Sequence, residues 1–228
     1  MTDRLVRAID RARFFAGIRQ KPFPGKLLAN QVQGCNAILD EWERRGLTDL
    51  RWLAYMLATT KWETNHTMQP IKEGGSLAYL KSKKYWPWYG RGYVQLTWED
   101  NYRKFRDRVM NLFKADIVSN PDDAMQPDVA AFIMFEGMIN GEFTGKKLSQ
   151  YFNETADWVG ARRIINGTDK AEAIADIARQ FFAALGWQDE PVPIGQPPDI
   201  ESAPISPEQP SIWAAFLILL KSIFGGSK

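Results

Sequence analysis

The chain has 228 residues, of which 45% are apolar and 25% charged, with a mean hydropathy of −0.35. That size suits one substantial domain plus an appendage, and the composition is ordinary for a soluble globular protein. A net charge of +2 gives no ground for a nucleic-acid partner; a single cysteine, Cys35, rules out an internal disulfide, and with His66 as the one histidine a His/Cys metal site or Cys–His nucleophile pair is disfavoured.

Met1-Thr2-Asp3-Arg4 runs into an amphipathic pattern without the apolar core of a secretory signal, and the single cysteine fits folding in a reducing cytoplasm. Leu5, Ala8, Ile9, Ala12 and Phe15 predict a helix over 5–18, which Lys21-Pro22-Phe23-Pro24-Gly25 breaks. Val32, Cys35, Leu39 and Trp42 share a stripe of a second helix over about 29–45, with Gly46 as its stop and Cys35 as a small core residue. A third helix over about 50–65, capped by Thr48 or Asp49, is apolar on most sides and should be central and buried. Trp52, Met56, Thr59 and Glu63 lie on one of its faces. Apolar surroundings favour the neutral form of a carboxyl group, the condition a general acid needs. The plain alternative is a solvated glutamate on a last turn.

A loop with Pro70 and Glu73-Gly74-Gly75-Ser76 leads to the densest stretch of the chain, Tyr85 to Tyr102. Its aromatics, the Gly90-Arg91-Gly92 turn and the polar side chains of Gln95, Thr97 and Asn101 have two readings. One is a hydrophobic core; the other is a sugar site, where flat rings meet apolar C–H faces and amides meet hydroxyls. Downstream, Asn120-Pro121-Asp122 ends a segment, and Asp128 is placed to cap a helix through Val129, Phe132, Ile133, Phe135 and Met138. Gly141 to Leu148 should turn into another helix. Asn166-Gly167 reads as a tight turn or as part of a cleft. Asp169 and Glu172 resemble a capping box before a stripe of Ile174, Ile177, Ala178, Phe181, Phe182 and Leu185, stopped by Gly186. Prolines crowd 191–210, an extended linker, and Ile212 to Leu220 is continuously apolar. The expected organisation is a domain over 1–190, a Pro-rich linker over 191–210 and a hydrophobic segment over 211–228. That segment is short for a spanning helix, and it stands open as a membrane anchor through 211–224, an interfacial helix, or a helix that docks back or oligomerises.

Tyr89-Gly90-Arg91-Gly92, Gln95-Leu96-Thr97 and Asn101-Tyr102 together resemble the signature of family 19 glycoside hydrolases, the chitinases and their phage endolysin relatives. Trp62-Glu63-Thr64 upstream and Arg163-Ile164-Ile165-Asn166-Gly167 downstream agree in order, so the resemblance covers roughly 48–186. Phe143 to Leu148 is worded more like the phage and prophage branch than like plant chitinases. The resemblance implies a mainly α, lysozyme-like fold with a loop-rich substrate cleft and an inverting two-carboxylate hydrolysis. It makes Glu63 the acid, Glu73 the base with Glu99 and Asp100 as competitors, and Thr97 the holder of the attacking water. In inverting enzymes of this kind the two carboxyl groups stand about 6.5–9.5 Å apart. Tyr89, Arg91, Gln95, Trp98, Asn101, Arg163 and Asn166 would contact the sugar or order the carboxylates, with Arg163 able to pair with one of them. His66 receives no role. Trp62 departs from the plant pattern, which has histidine there, and the missing disulfides depart from it too.

The expected substrate is bacterial peptidoglycan, with chitin as runner-up and a non-catalytic wall-binding phage protein as the reading from another class. No cofactor is implied, and a monomer is expected. The enzyme would stay in the host cytoplasm until a holin-like partner delivers it to the wall.

Overall fold

The computed structural model describes residues 8–186; the expected linker and apolar tail lie outside the described residues. Seven α-helices are described: α1 Arg11–Gln20, α2 Ala29–Arg44, α3 Leu50–Glu63, α4 Leu77–Lys81, α5 Glu99–Phe113, α6 Pro127–Asn140 and α7 Ala171–Gly186. Two short strands, β1 Ile71–Lys72 and β2 Arg91–Gly92, pair antiparallel with Ile71 opposite Gly92 and Lys72 opposite Arg91. The fold is mainly helical and lysozyme-like, as the resemblance implied.

The core is built around α3. Asp49 caps it, its carboxylate accepting from the Arg51 N–H at 3.0 Å, and Leu53 to Lys61 are all buried. α3 packs against α7, α7 against α1, and α2 against α6. Phe14 and Phe181 stack across the α1–α7 contact at 6.3 Å, and both are fully buried. Each such side chain contributes about 1.5–3 kcal/mol relative to exposure. Salt bridges Arg45–Glu136, Arg108–Glu136 and Arg108–Glu142 tie α2, α6 and α5 together at their edge.

Several expected boundaries move, each for a local reason. α1 begins at Arg11, because Asp10 takes the cap and accepts from the Arg13 N–H at 3.1 Å. α3 ends at Glu63, since Asn65 and His66 turn left-handed (φ +49° and +67°). At α6 the cap position falls to Gln126 and Pro127 opens the helix; Asp128, expected as the cap, sits in the first turn. There it still favours the positive helix end. The helix expected after Gly141 is only a 3-10 turn, Leu148–Gln150. Before α7, Lys170 adopts φ +56°, so Asp169 falls one residue outside the cap, and its carbonyl accepts from Arg162 instead.

Candidate active site

Glu63 closes α3 with its side chain 3% exposed. Its Oε1 accepts from an Arg162 guanidinium N–H at 2.7 Å, and that side chain is also 3% exposed. Arg162 belongs to the 3-10 turn Gly160–Ile164, which Asp157 starts by accepting from the Gly160 N–H at 2.8 Å. The Arg162 Nε donates to the Asp169 carbonyl at 3.2 Å, fixing the plane of the guanidinium. The expected partner was the next residue. Arg163 is exposed, and its carbonyl accepts from the Thr144 hydroxyl at 2.7 Å. The apolar stripe therefore ends on an ion pair, so burial alone does not describe the setting of Glu63.

The loop after Glu63 is tightly specified. Thr64 donates back to the Thr60 carbonyl at 2.7 Å and accepts from the Met68 N–H at 3.1 Å. From α2, Gln31 donates to the His66 carbonyl, and Gln69 answers by donating to the Asn30 carbonyl at 2.6 Å. α2 approaches so closely that a Cβ added at Gly34 would lie 1.6 Å from the Met68 carbonyl oxygen. Asn65, His66 and Met68 all have positive φ, a conformation costing about 1–3 kcal/mol at residues other than glycine.

Glu73 follows β1, and its N–H donates to the Gly90 carbonyl at 2.7 Å, extending the two-stranded ladder by one step. Its carboxylate, 6% exposed as a residue, has two fixed donors: the Tyr85 hydroxyl at 2.6 Å and the Gly90 N–H at 3.0 Å. Burial, and then the neighbouring carboxylate, push the Tyr85 phenol up, so it stays a donor. A carboxylate has about four acceptor sites, so two remain for a water. Of the competing acids, Glu99 pairs with Arg103 one turn along α5, and Asp100 is exposed.

Gln95 has φ +55°, and its amide donates to the Ile71 carbonyl at 2.9 Å and the Gly92 carbonyl at 3.2 Å. These bonds turn Oε1 toward Gly90, where an added Cβ would lie 2.8 Å from it and 3.4 Å from the Glu73 Cβ. An alanine there would push the Gln95 amide out of place. Thr97 is half-buried, its hydroxyl donating to the Gln95 carbonyl at 2.8 Å. Asn101 donates to the Thr97 carbonyl at 2.7 Å and accepts from the Lys104 ammonium at 3.0 Å. Trp98, φ +76°, is 51% exposed and meets the Tyr85 ring edge-on.

The structure thus gathers Glu73, Tyr85, Gln95, Thr97, Trp98 and Asn101 around one loop. Glu63 and Arg162 form a second network at the end of α3, with half-buried Asn166 beside it through its N–H to the Arg162 carbonyl at 2.9 Å. The Asn166 side chain accepts from the Gly167 N–H, the turn chemistry its sequence suggested. Arg91 and Tyr89 lie on the inside of the loop. The Arg91 guanidinium is 4% exposed and bonds Asp122, the Pro87 and Tyr89 carbonyls and the Tyr102 hydroxyl. It clamps the turn from within and does not present itself to a sugar. Among the aromatics, Tyr85, Tyr89, Tyr93 and Tyr102 are core, while Trp98 faces out. Among the described residues, no group of three or more His, Cys, Asp or Glu side chains would hold a metal ion. Sequence reading gave Arg162 and Tyr85 no role: adjacent arginines hide which one turns inward, and nothing in the spacing ties Tyr85 to Glu73.

No family model and no curated protein matches the chain. Solved structures do. Chitinase C from Streptomyces griseus matches with TM-score 0.54 at 21% identity, over 78% of this chain and 77% of that one. A mutant of chitinase C matches with TM-score 0.51 at 20% identity over the same shares. These likenesses establish a shared fold.

Proposed function

We propose that the protein is a glycoside hydrolase that cuts β-1,4 bonds between N-acetylated amino sugars, with bacterial peptidoglycan as substrate. Two buried glutamates with oriented oxygens, ten positions apart, carry this reading. The segments that follow Glu63 and flank Glu73 hold five left-handed residues other than glycine, Asn65, His66, Met68, Gln95 and Trp98. Strain of that kind collects where geometry serves chemistry. The chitinases that share the fold make the same bond class the natural substrate, and the endolysin-like wording of 143–148 favours the wall over chitin.

In this mechanism Glu63 carries a proton once substrate is bound, and that proton passes to the glycosidic oxygen as the C–O bond breaks. A water attacks the anomeric carbon from the opposite face while Glu73 takes its proton, and Thr97 orients that water. The anomeric configuration inverts, and proton exchange with solvent resets both carboxyl groups. Arg162 fixes the Glu63 rotamer, while Tyr85 and Gly90 fix that of Glu73. A domain over 1–190 carries this activity, and 211–224 adds membrane association to an enzyme that reaches the wall through a holin-like partner.

The test is to incubate the full chain and its Glu63→Gln form with peptidoglycan and, separately, chitin oligomers, reading new reducing ends by mass spectrometry and the product anomer by NMR. Ends released from peptidoglycan only when Glu63 is intact, with the α-anomer formed first, are expected. Cleavage of chitin alone would move the substrate. No release from either, with wall binding intact, would favour the non-catalytic reading.

A further inference from the structure

The loop that carries Glu73's partners is charged in one sense only. Residues 74–98 contain Lys81, Lys83, Lys84 and Arg91 and no Asp or Glu, which leaves 25 cations against 27 acids in the remaining chain. Arg91 is answered by Asp122, but Lys81, Lys83 and Lys84 enter no ion pair among the described residues. They are not freely waving side chains. The Lys83 ammonium sits 3.7 Å from the Tyr79 ring centre, and that of Lys81 lies 5.9 Å from Trp86, whose other neighbour is the stacked Tyr89 ring. Lys84 adjoins Tyr85, the donor to Glu73.

A second positive edge runs from the other side of Thr97 and Asn101. The Lys104 ammonium donates to the Asn101 Oδ1 and to the Glu142 backbone carbonyl, both uncharged acceptors. The loop it reaches exposes Lys146 and Lys147, and Thr144 joins that loop to exposed Arg163. The acids nearby are largely spoken for: Glu142 by Arg108, Glu99 by Arg103, Asp122 by Lys72 and Arg91. Asp100 and, beside Arg162, Asp169 are exposed acids that enter no ion pair among the described residues, and they are outnumbered by the lysines and Arg163 of these edges. Uncompensated cations on both edges of a site raise the local concentration of an anionic ligand and do nothing for a neutral one.

We infer that the glycan this site accepts bears free carboxylates on its substituents, read by Lys81, Lys83 and Lys84 on one edge and by Lys104 on the other. This rests on the proposed sugar site and deepens it. The lysines set affinity and leave the bond-breaking step unchanged.

The experiment compares the full chain with its Lys81→Ser/Lys83→Ser/Lys84→Ser variant by two readouts, co-sedimentation with insoluble peptidoglycan and release of reducing ends. Three peptidoglycan preparations are used: native, with carboxylates converted to amides, and stripped of phosphate polymers. Binding of the variant to native and to stripped material should be about tenfold weaker at low salt, with KM raised alike and kcat unchanged. The difference should close near 0.5 M salt, about where screening shortens to a few ångström, and vanish on the amidated material. An equal deficit on amidated peptidoglycan, or a deficit that disappears only when phosphate polymers are removed, overturns the inference. So does a variant indistinguishable from wild type. If neither protein releases ends, the hydrolase reading fails on its own, and co-sedimentation still decides whether the lysines read carboxylates.

Discussion

Removing Arg162 should unsettle the molecule more than removing the Glu63 carboxylate. In Arg162→Met a carboxylate whose side chain is 3% exposed loses the guanidinium that stood 2.7 Å away. A buried charge stripped of its partner costs about 3–5 kcal/mol. For a domain of this size each kcal/mol shifts Tm by about 2–4 °C, so the variant should melt roughly 10 °C below wild type. Glu63→Gln leaves the Arg162 guanidinium, also 3% exposed, without its counter-charge. The Gln oxygen and the Asp169 carbonyl remain as acceptors, so the cost should sit at the lower end, about 3 kcal/mol. The double variant should fall short of the sum by about 1–3 kcal/mol, because the second change removes a group the first had already orphaned. Thermal and denaturant unfolding of all four proteins at pH 7, followed by circular dichroism, supply the numbers. An Arg162→Met melting point within about 2 °C of wild type, or additive single and double effects, would refute the view of Glu63 and Arg162 as one buried unit.

Gly34→Ala places a methyl 1.6 Å from the Met68 carbonyl oxygen, a backbone atom that cannot simply rotate away. Overpacking of that kind should cost about 3 kcal/mol or more and lower Tm by at least about 6 °C, as calorimetry would record. Tyr85→Phe removes one of two donors from the Glu73 carboxylate. The expected result is a fall in kcat of about tenfold with KM nearly unchanged, since about 1.4 kcal/mol of orientation is lost; an unchanged kcat would speak against Glu73 as the base. For Asp116, the Arg106 guanidinium and then the Ser119 and Val118 groups hold the carboxyl well below the usual carboxylate range. A depressed folded value means its stabilisation is complete above about pH 4 and is lost as pH falls further. The Tm gap between wild type and Asp116→Asn should therefore be full at pH 7 and shrink steadily on acidification. A gap independent of pH would contradict it.

What could be read beforehand depended on periodicity. α2, α3 and α7 repeat apolar residues at helical spacing over three or more turns, and their cores follow: Cys35, Leu39 and Trp42, Leu53 to Ala58, and Ile174, Ala178, Phe181 and Leu185, whereas Phe182, expected in the same stripe, is exposed. Ends were less legible, because caps depend on one residue: Gln126 and Pro127 displaced Asp128, and left-handed Lys170 displaced Asp169. Gly34 passed unremarked, since an interior helix glycine looks like a mild weakness until the Met68 carbonyl is seen against it. In the candidate site, the family resemblance nominated Glu63 and Glu73, but their partners could not be read from it. Arg162 lies 99 residues beyond Glu63, and only the phase of one short 3-10 turn decides between it and Arg163. Arg91 stood between two glycines like a ligand-facing residue, yet it turns inward because four acceptors converge beneath it.

The packing of α7 on α3 sets an order of events during synthesis. Glu63 emerges early, whereas its guanidinium follows 99 residues later and the helix that covers α3 comes later still. At about 5–20 residues per second, a nascent chain carries this carboxylate for about 5–20 s before its counterpart exists. Through that interval α3 can lie against α2 and then α6, but the face that α7 covers stays open. The acid is completed only when nearly all of the described fold has been translated, which makes the final helix the step that commits the molecule to its working form.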